Sequence, residues 1–163
     1  MSLEEFDRLY HSAAPRLFAQ VWAMCGSRAE AEDVVQEAFI RAWQRRDRLD
    51  ADRTPEAWVR TTAMRLAVSR WRKSRNALTA WIRRGDRHDR EHAQPFDPAL
   101  VAALNQLRVA QREAIVLHHL ADLSIAQISR ELNVPDGTVK ARLSRGRAAL
   151  ATLLAPTTQD SHV

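Results

Sequence analysis

Lys140, Arg142, Arg145 and Arg147 recur through a stretch that also carries Thr138 and Ser144. Cations interleaved with short hydroxyls neutralise phosphates and hydrogen-bond to base edges; they do not break covalent bonds. A second basic run, Arg70-Trp71-Arg72-Lys73-Ser74-Arg75, sets an indole among the charges, where it can either stack on a base or pack inward. The acids gather elsewhere, at Glu30, Glu32, Asp33 and Glu37, so acidic and basic surfaces are set out for different partners. His88 and His92 have i, i+4 spacing but fall in a charged, irregular segment, and the adjacent His118 and His119 diverge on a helix. Neither pair reads as a metal site, and no residues form a nucleophile-and-base arrangement. The reading is non-enzymatic, with no cofactor and no metal.

The elements that position these groups are helical. Of 163 residues, 45% are hydrophobic, enough for a globular core, and only four are glycine. The abundant Ala, Leu and Arg lose little on entering a helix. The net charge of +5 is too modest to prove nucleic-acid binding; its clustering is the more informative feature. The single cysteine, Cys25, lies beside Val21, Trp22 and Met24 and reads as a small core residue. No apolar run approaches membrane-spanning length, and Met1-Ser2-Leu3-Glu4-Glu5 lacks a charged-then-apolar leader, so a cytoplasmic protein is expected.

Along the chain, Phe6, Leu9, Tyr10 and Ala13 share one helical face, and Pro15 predicts a fresh helix through Leu17, Phe18, Val21 and Trp22 to Gly26. Ser27 with Glu30 fits a capping box opening a helix to about Asp47, with Val34, Val35, Ala38 and Ala42 inward. Phe39, Trp43 and Trp58 are assigned to the core. Thr54-Pro55-Glu56 starts a helix that runs to about Arg75 and turns basic at its end. The periodicity lapses from Asn76 to Phe96, with Trp81 and Ile82 the only buriable residues, and Asp97-Pro98 opens a second helical block. Roughly four helices and four helices are expected.

Ser124 to Leu150 is the most informative stretch. Ser124 and Gln127 fit a capping box for a short helix ending at Leu132. Asn133-Val134-Pro135-Asp136-Gly137 is a turn, and a basic helix follows with Val139, Leu143 and Leu150 inward. Two short helices around a tight turn, the second basic, form the helix-turn-helix that lays a recognition helix in a major groove. An ordinary helical hairpin with a solvated charged face has the same pattern.

Ala31-Glu32-Asp33-Val34-Val35-Gln36-Glu37-Ala38-Phe39-Ile40-Arg41-Ala42-Trp43 closely resembles the core-binding helix of extracytoplasmic-function (ECF) sigma factors. Gln111-Arg112-Glu113, Leu123-Ser124, Ile128 and Val134 to Arg147 resemble the promoter-reading helix-turn-helix of the same family. The two motifs stand in family order and at family distance, and the likeness runs from about Phe6 to Leu154.

The resemblance implies an all-α protein of two small domains joined by a flexible linker: sigma region 2 over 1–76, a linker over 77–97, sigma region 4 over 98–155 and a tail over 156–163. It implies a factor that binds core RNA polymerase, at the clamp and the flap, and directs promoter-specific initiation. Carried over by position, Asp33, Gln36, Glu37 and Arg41 would face the clamp. Arg60, Thr61, Arg65, Arg70, Trp71 and Arg72 would contact the minus-ten strand, beside a base-capturing connection from Asp47 to Glu56. Thr138, Lys140, Ala141, Arg142, Ser144, Arg145 and Arg147 would meet the minus-thirty-five duplex. Promoter DNA is the second partner, and the resemblance allows an anti-sigma protein as a third. Arg65 stands where many relatives carry asparagine and Ser69 where many carry aspartate, both on the strand-contacting helix, so the minus-ten preference does not transfer. Arg108 replaces a common proline, which bears only on the turn before the helix of Gln111, and Ala141 replaces a frequent serine on the recognition helix, removing one hydrogen bond to DNA. The rival is a LuxR-type regulator with a helix-turn-helix output, which calls for a signal-receiving N-terminal half; no alternating α/β pattern or phosphate loop is present there.

Overall fold

The first helix opens on a reciprocal cap: the Glu5 amide donates to Ser2 Oγ (3.2 Å) and the Ser2 amide to Glu5 Oε2 (2.6 Å). In the computed structural model, which describes residues 1–49, 54–76 and 95–156 (the side chains of 75 and 76 apart), this helix, α1, runs unbroken over Leu3–Cys25. Pro15 therefore sits inside a helix and does not begin one. Pro15 and His11 are both exposed, so the carbonyl that the proline leaves unbonded faces water, while Ala13, Leu17 and Val21 hold the inner face in the core. α1 ends at Gly26, whose φ of 71° is the left-handed conformation a glycine adopts without strain.

α2 spans Arg28–Gln44, shorter than the expected end at Asp47, and Ser27 Oγ accepts from the Glu30 amide. α3 spans Pro55–Asn76, its start held by the Ala57 amide donating to Thr54 Oγ1. These three helices bury Val21, Trp22, Val34, Ala38, Phe39, Val59 and Ala63 between them. Phe6 meets Phe39 and Trp43 edge-on, with ring centroids 6.1 and 5.0 Å apart, as aromatic quadrupoles prefer.

The second block comprises α4 (Pro98–Gln106), α5 (Val109–Ile115) continuing into one π turn (Val116–Leu120), α6 (Ile125–Leu132) and α7 (Asp136–Leu154). Its core is Leu104, Leu107, Ala114, Leu117, Ile128, Val139 and Leu143. Gly146 lets α7 lie against α5, since a Cβ there would come 2.6 Å from Ile115 Cδ1. Among the described residues there is no strand, and the first block holds three helices, not four, because α1 is continuous. Trp81, Ile82, His88 and His92 lie outside the described residues.

The two blocks touch. Arg112 on α5 is fully buried at 0% exposure, and its guanidinium donates to the carbonyls of Met24 (2.7 Å), Leu104 (2.7 Å), Asn105 (3.0 Å) and Leu107 (3.1 Å). Met24 belongs to the last turn of α1, and Leu104 to Leu107 form the end of α4. Helix C-termini carry unsatisfied carbonyls and the negative end of the helix dipole, so two of them together can host a buried cation. The Trp71 ring of α3 lies 4.9 Å from the guanidinium carbon, adding a cation–π contact.

Candidate nucleic-acid interface

α2 presents a polar face. Asp33, Gln36 and Arg41 are exposed, and Ile40 stands 50% exposed on the same side. Glu37, half-buried, accepts from Arg41 Nη2 and from Arg70 Nη2 of α3, both at 2.6 Å. The Arg70 hydrogen bond, then that of Arg41, holds the Glu37 carboxyl below its ordinary value. Glu37 thereby ties α2 to α3 as well as facing outward.

Between α2 and α3 lies an open groove of about 800 Å³ whose wall includes Arg41, Trp58, Thr61, Arg65, Ser69 and Arg70. Thr61 is nearly buried and spends its hydroxyl on the Ala57 carbonyl at 2.9 Å. Arg65 and Arg72 are exposed on α3. Arg60 is differently placed: its Nε and Nη2 donate to Glu131 Oε1 and Oε2 at 3.1 and 2.9 Å, a two-pronged pair across 71 residues of chain, with the side chains 13% and 9% exposed. Trp71, half-buried, faces Arg112 and not solvent alone. Of the six strand-contacting residues expected from the sequence, the groove brings together Thr61, Arg65 and Arg70; Arg72 is exposed outside it, and Arg60 and Trp71 are engaged by the second block.

The helix-turn-helix has the expected caps. The Ser124 amide donates to Gln127 Oε1 (2.8 Å) and the Gln127 amide to Ser124 Oγ (3.1 Å). Asn133 takes φ 54° at the turn, and Ser129 Oγ donates to the Val134 carbonyl at 2.6 Å. Gly137 needs no left-handed backbone, because α7 already begins at Asp136. On α7 Lys140, Ser144, Arg145 and Arg147 are exposed, Thr138, Ala141 and Arg142 are half-buried, and Leu150 is partly buried against the core. Arg147 Nε donates to His119 Nε2 at 3.2 Å; burial, then the Arg147 charge, lowers the His119 pKa and favours the neutral ring that can accept.

Sequence reasoning missed Arg112 as a bridge between blocks, Ile40 as an exposed apolar residue amid the polar face, and the acids Glu113 and Glu131 that face α3. Ile40 was legible as an apolar residue out of step with the α2 stripe. The others depend on pairings across tens of residues, which no local pattern carries.

Residues 9–77 match the family described as Sigma-70 region 2, and residues 98–150 match Sigma-70, region 4. The chain is 32% identical over 151 residues to the ECF RNA polymerase sigma factor SigW of Bacillus subtilis (strain 168), covering 83% of this chain and 81% of that one. The chain belongs to the ECF sigma factors. It is 33% identical over 153 residues to the sigma factor SigL of Mycobacterium tuberculosis (strain ATCC 25618 / H37Rv), covering 90% of this chain and 86% of the relative. Among solved structures, the sigma factor RpoE in complex with the anti-sigma factor NepR from Bartonella quintana matches with a TM-score of 0.75 at 26% identity, over 93% of this chain and 98% of that one. CnrH in complex with the cytosolic domain of CnrY shares the fold, with a TM-score of 0.72 at 24% identity over 94% and 89% of the two chains. As an ECF sigma factor the protein directs transcription initiation, and the region 2 match excludes the LuxR-type regulator. No helix among the described residues is long and apolar enough to cross a membrane.

Proposed function

We propose that residues 1–76 dock on core RNA polymerase and open the minus-ten element, while residues 98–155 read the minus-thirty-five element. The work is binding alone, without enzymatic chemistry, and takes place in the cytoplasm with the polymerase. Asp33, Gln36 and Arg41 face the polymerase clamp, with Glu37 both contacting it and fixing α2 on α3. Ile40 supplies the apolar anchor that a polar face needs to bind tightly, since apolar residues at an interface centre carry much of its energy.

The minus-ten strand is held along the α2–α3 groove by Thr61, Arg65 and Arg70, with Arg72, Arg60 and Trp71 joining when the second block is displaced. Positive charge tracking a backbone beside an indole favours the unpaired strand over duplex without covalent chemistry. On α7, Lys140 and Arg147 meet phosphates, and Thr138, Ala141, Arg142, Ser144 and Arg145 meet base edges. The similar structure of RpoE, solved in complex with the anti-sigma factor NepR, supports an anti-sigma partner for this chain.

The observation that carries the reading is the exposed polar face of α2 set beside a basic groove, on the same chain as a basic recognition helix. Footprinting of the holoenzyme on a promoter tests it, with permanganate reporting unpaired thymines and DNase I reporting protection of duplex. Reactive thymines at the minus-ten element and protection at the minus-thirty-five are expected. Arg65→Ala with Ser69→Ala should reduce the thymine signal while leaving upstream protection in place; loss of both together would mean the α2–α3 groove has no separate role.

A further inference from the structure

The cations of the α2–α3 groove differ in what is left of them to bind a ligand. Arg41 and Arg70 each spend a guanidinium nitrogen on Glu37 at 2.6 Å, and Glu37 is the one acid on that wall among the described residues. Arg45, Arg65 and Lys73 line the same groove, stand exposed, and make no side-chain hydrogen bond or ion pair among the described residues. Of these three, Arg45 lies just past the end of α2 and Lys73 carries a single ammonium, whereas Arg65 presents a whole planar fork from the middle of α3. We propose that Arg65 is the specificity-determining residue of the groove and reads an unpaired guanine within the minus-ten element. The proposal rests on the reading of this groove as the strand contact, and adds the base that it selects.

The surroundings of Arg65 suit a base better than a phosphate. Thr62, Arg65, Ser69 and Lys73 follow at i, i+3, i+7 and i+11, so α3 turns all four to one side over about 16 Å. Beside this polar row the groove carries Trp58 and Leu66, both half-buried. Apolar wall with a few convergent polar groups is the make-up of a site for a flat, largely apolar ring. A phosphate set against Trp58 and Leu66 loses water without replacement, so the backbone is left to Arg45 and Lys73. The volume of about 800 Å³ leaves room for a nucleotide and its neighbours.

The donor pattern of the fork then chooses the base. A guanidinium offers parallel N–H groups, and guanine answers with two neighbouring acceptors, O6 and N7. Adenine and cytosine set an amino donor against the same fork, and thymine offers one acceptor beside a methyl group. Ser69, exposed one turn further along, hydrogen-bonds to acceptor and donor alike and so adds no contrary choice. One bidentate contact of this kind is worth about fivefold to a hundredfold in favour of guanine.

A barcoded pool of promoters randomised through the minus-ten element, transcribed by core polymerase with the full chain, tests the assignment. Guanine should be enriched about fivefold or more over every other base at one position. Arg65→Gln should lose that preference and favour adenine there, since glutamine pairs with adenine N6 and N7. Because Arg65 is exposed and glutamine is a good helix former, the melting temperature should not change. In wild type, 7-deazaguanine, which lacks N7, should forfeit most of the advantage when placed at that position on each strand in turn. Loss of the guanine preference in Arg65→Gln without a gain of adenine still upholds the contact. No guanine preference at any position, a guanine preference that survives Arg65→Gln, or a uniform loss across the pool, as a phosphate contact gives, overturns the proposal. A pool with no base preference anywhere, on promoters whose thymines stay unreactive to permanganate, refutes instead the reading of the groove as the strand contact.

Discussion

Arg112 donates a 2.7 Å hydrogen bond from Nη1 to the carbonyl of Met24, 88 residues earlier, and so fastens the helix-turn-helix block to the end of the first helix. The same guanidinium closes the end of α4 through Leu104, Asn105 and Leu107. One side chain thus serves the folding of region 4 and its docking on region 2.

Arg112→Ala should be among the most damaging single changes in the chain. It leaves four carbonyls without this donor, and a buried unsatisfied polar group costs about 1–3 kcal/mol. A net loss of about 3 kcal/mol lowers Tm by roughly 6–12 °C in a protein of this size. Arg112→Lys should recover less than half, because one ammonium cannot reach the same spread of acceptors. A Tm within 2 °C of wild type, by calorimetry at about 1 °C precision, would mean the carbonyls find other donors.

Gln36 and Glu37 should separate docking from folding. Gln36 is exposed, whereas Glu37 holds Arg41 and Arg70. Gln36→Ala should weaken polymerase pull-down with an unchanged melting curve, while Glu37→Gln should weaken both. Polymerase retention at the wild-type level by both variants would remove α2 from the interface.

Arg142→Ala and Arg145→Ala should each cost about 1–3 kcal/mol of discrimination at the minus-thirty-five element, the worth of a bidentate base contact. Competition with scrambled duplex reads this directly. An equal loss on both duplexes would assign the two side chains to phosphates.

Stability should carry a pH signature from Glu113. Burial raises its pKa above the ordinary 4.5, against the pull of Arg142, Arg72 and Arg65 and with a further push from Glu131. The folded chain therefore binds this proton more tightly than the unfolded one. Its stabilising contribution is complete below about 4.5 and is lost as pH rises through the folded value. Glu37, held below 4.5, acts in the opposite sense and only at lower pH. The melting temperature of Glu113→Gln should thus gain on wild type from pH 4.5 upward; a constant difference would show that Glu113 does not titrate there.

Much of this fold is written locally. The caps at Ser124 and Gln127, at Thr54-Pro55 and at Asp97-Pro98 open helices where short-range hydrogen bonding predicts, and the inward positions Val139 and Leu143 follow from period alone. The break expected at Pro15 fails because packing on either side of an exposed proline outweighs one lost hydrogen bond. The basic face of α7 was legible as composition on a helix, and α7 does present Lys140, Ser144, Arg145 and Arg147 outward. Arg60 read as a solvent-facing cation because its partner lies 71 residues away, and Arg112 read as one more charge in a motif because its acceptors are backbone atoms with no sequence signature.

Run-off transcription with purified core polymerase lacking any other sigma factor tests the central claim most directly. With this chain added, full-length transcript should appear from a promoter recovered by mapping its bound sites, and should fall at least tenfold, about 1.4 kcal/mol, when its minus-thirty-five element is scrambled. Transcript that appears only when a second sigma factor is supplied would contradict the account.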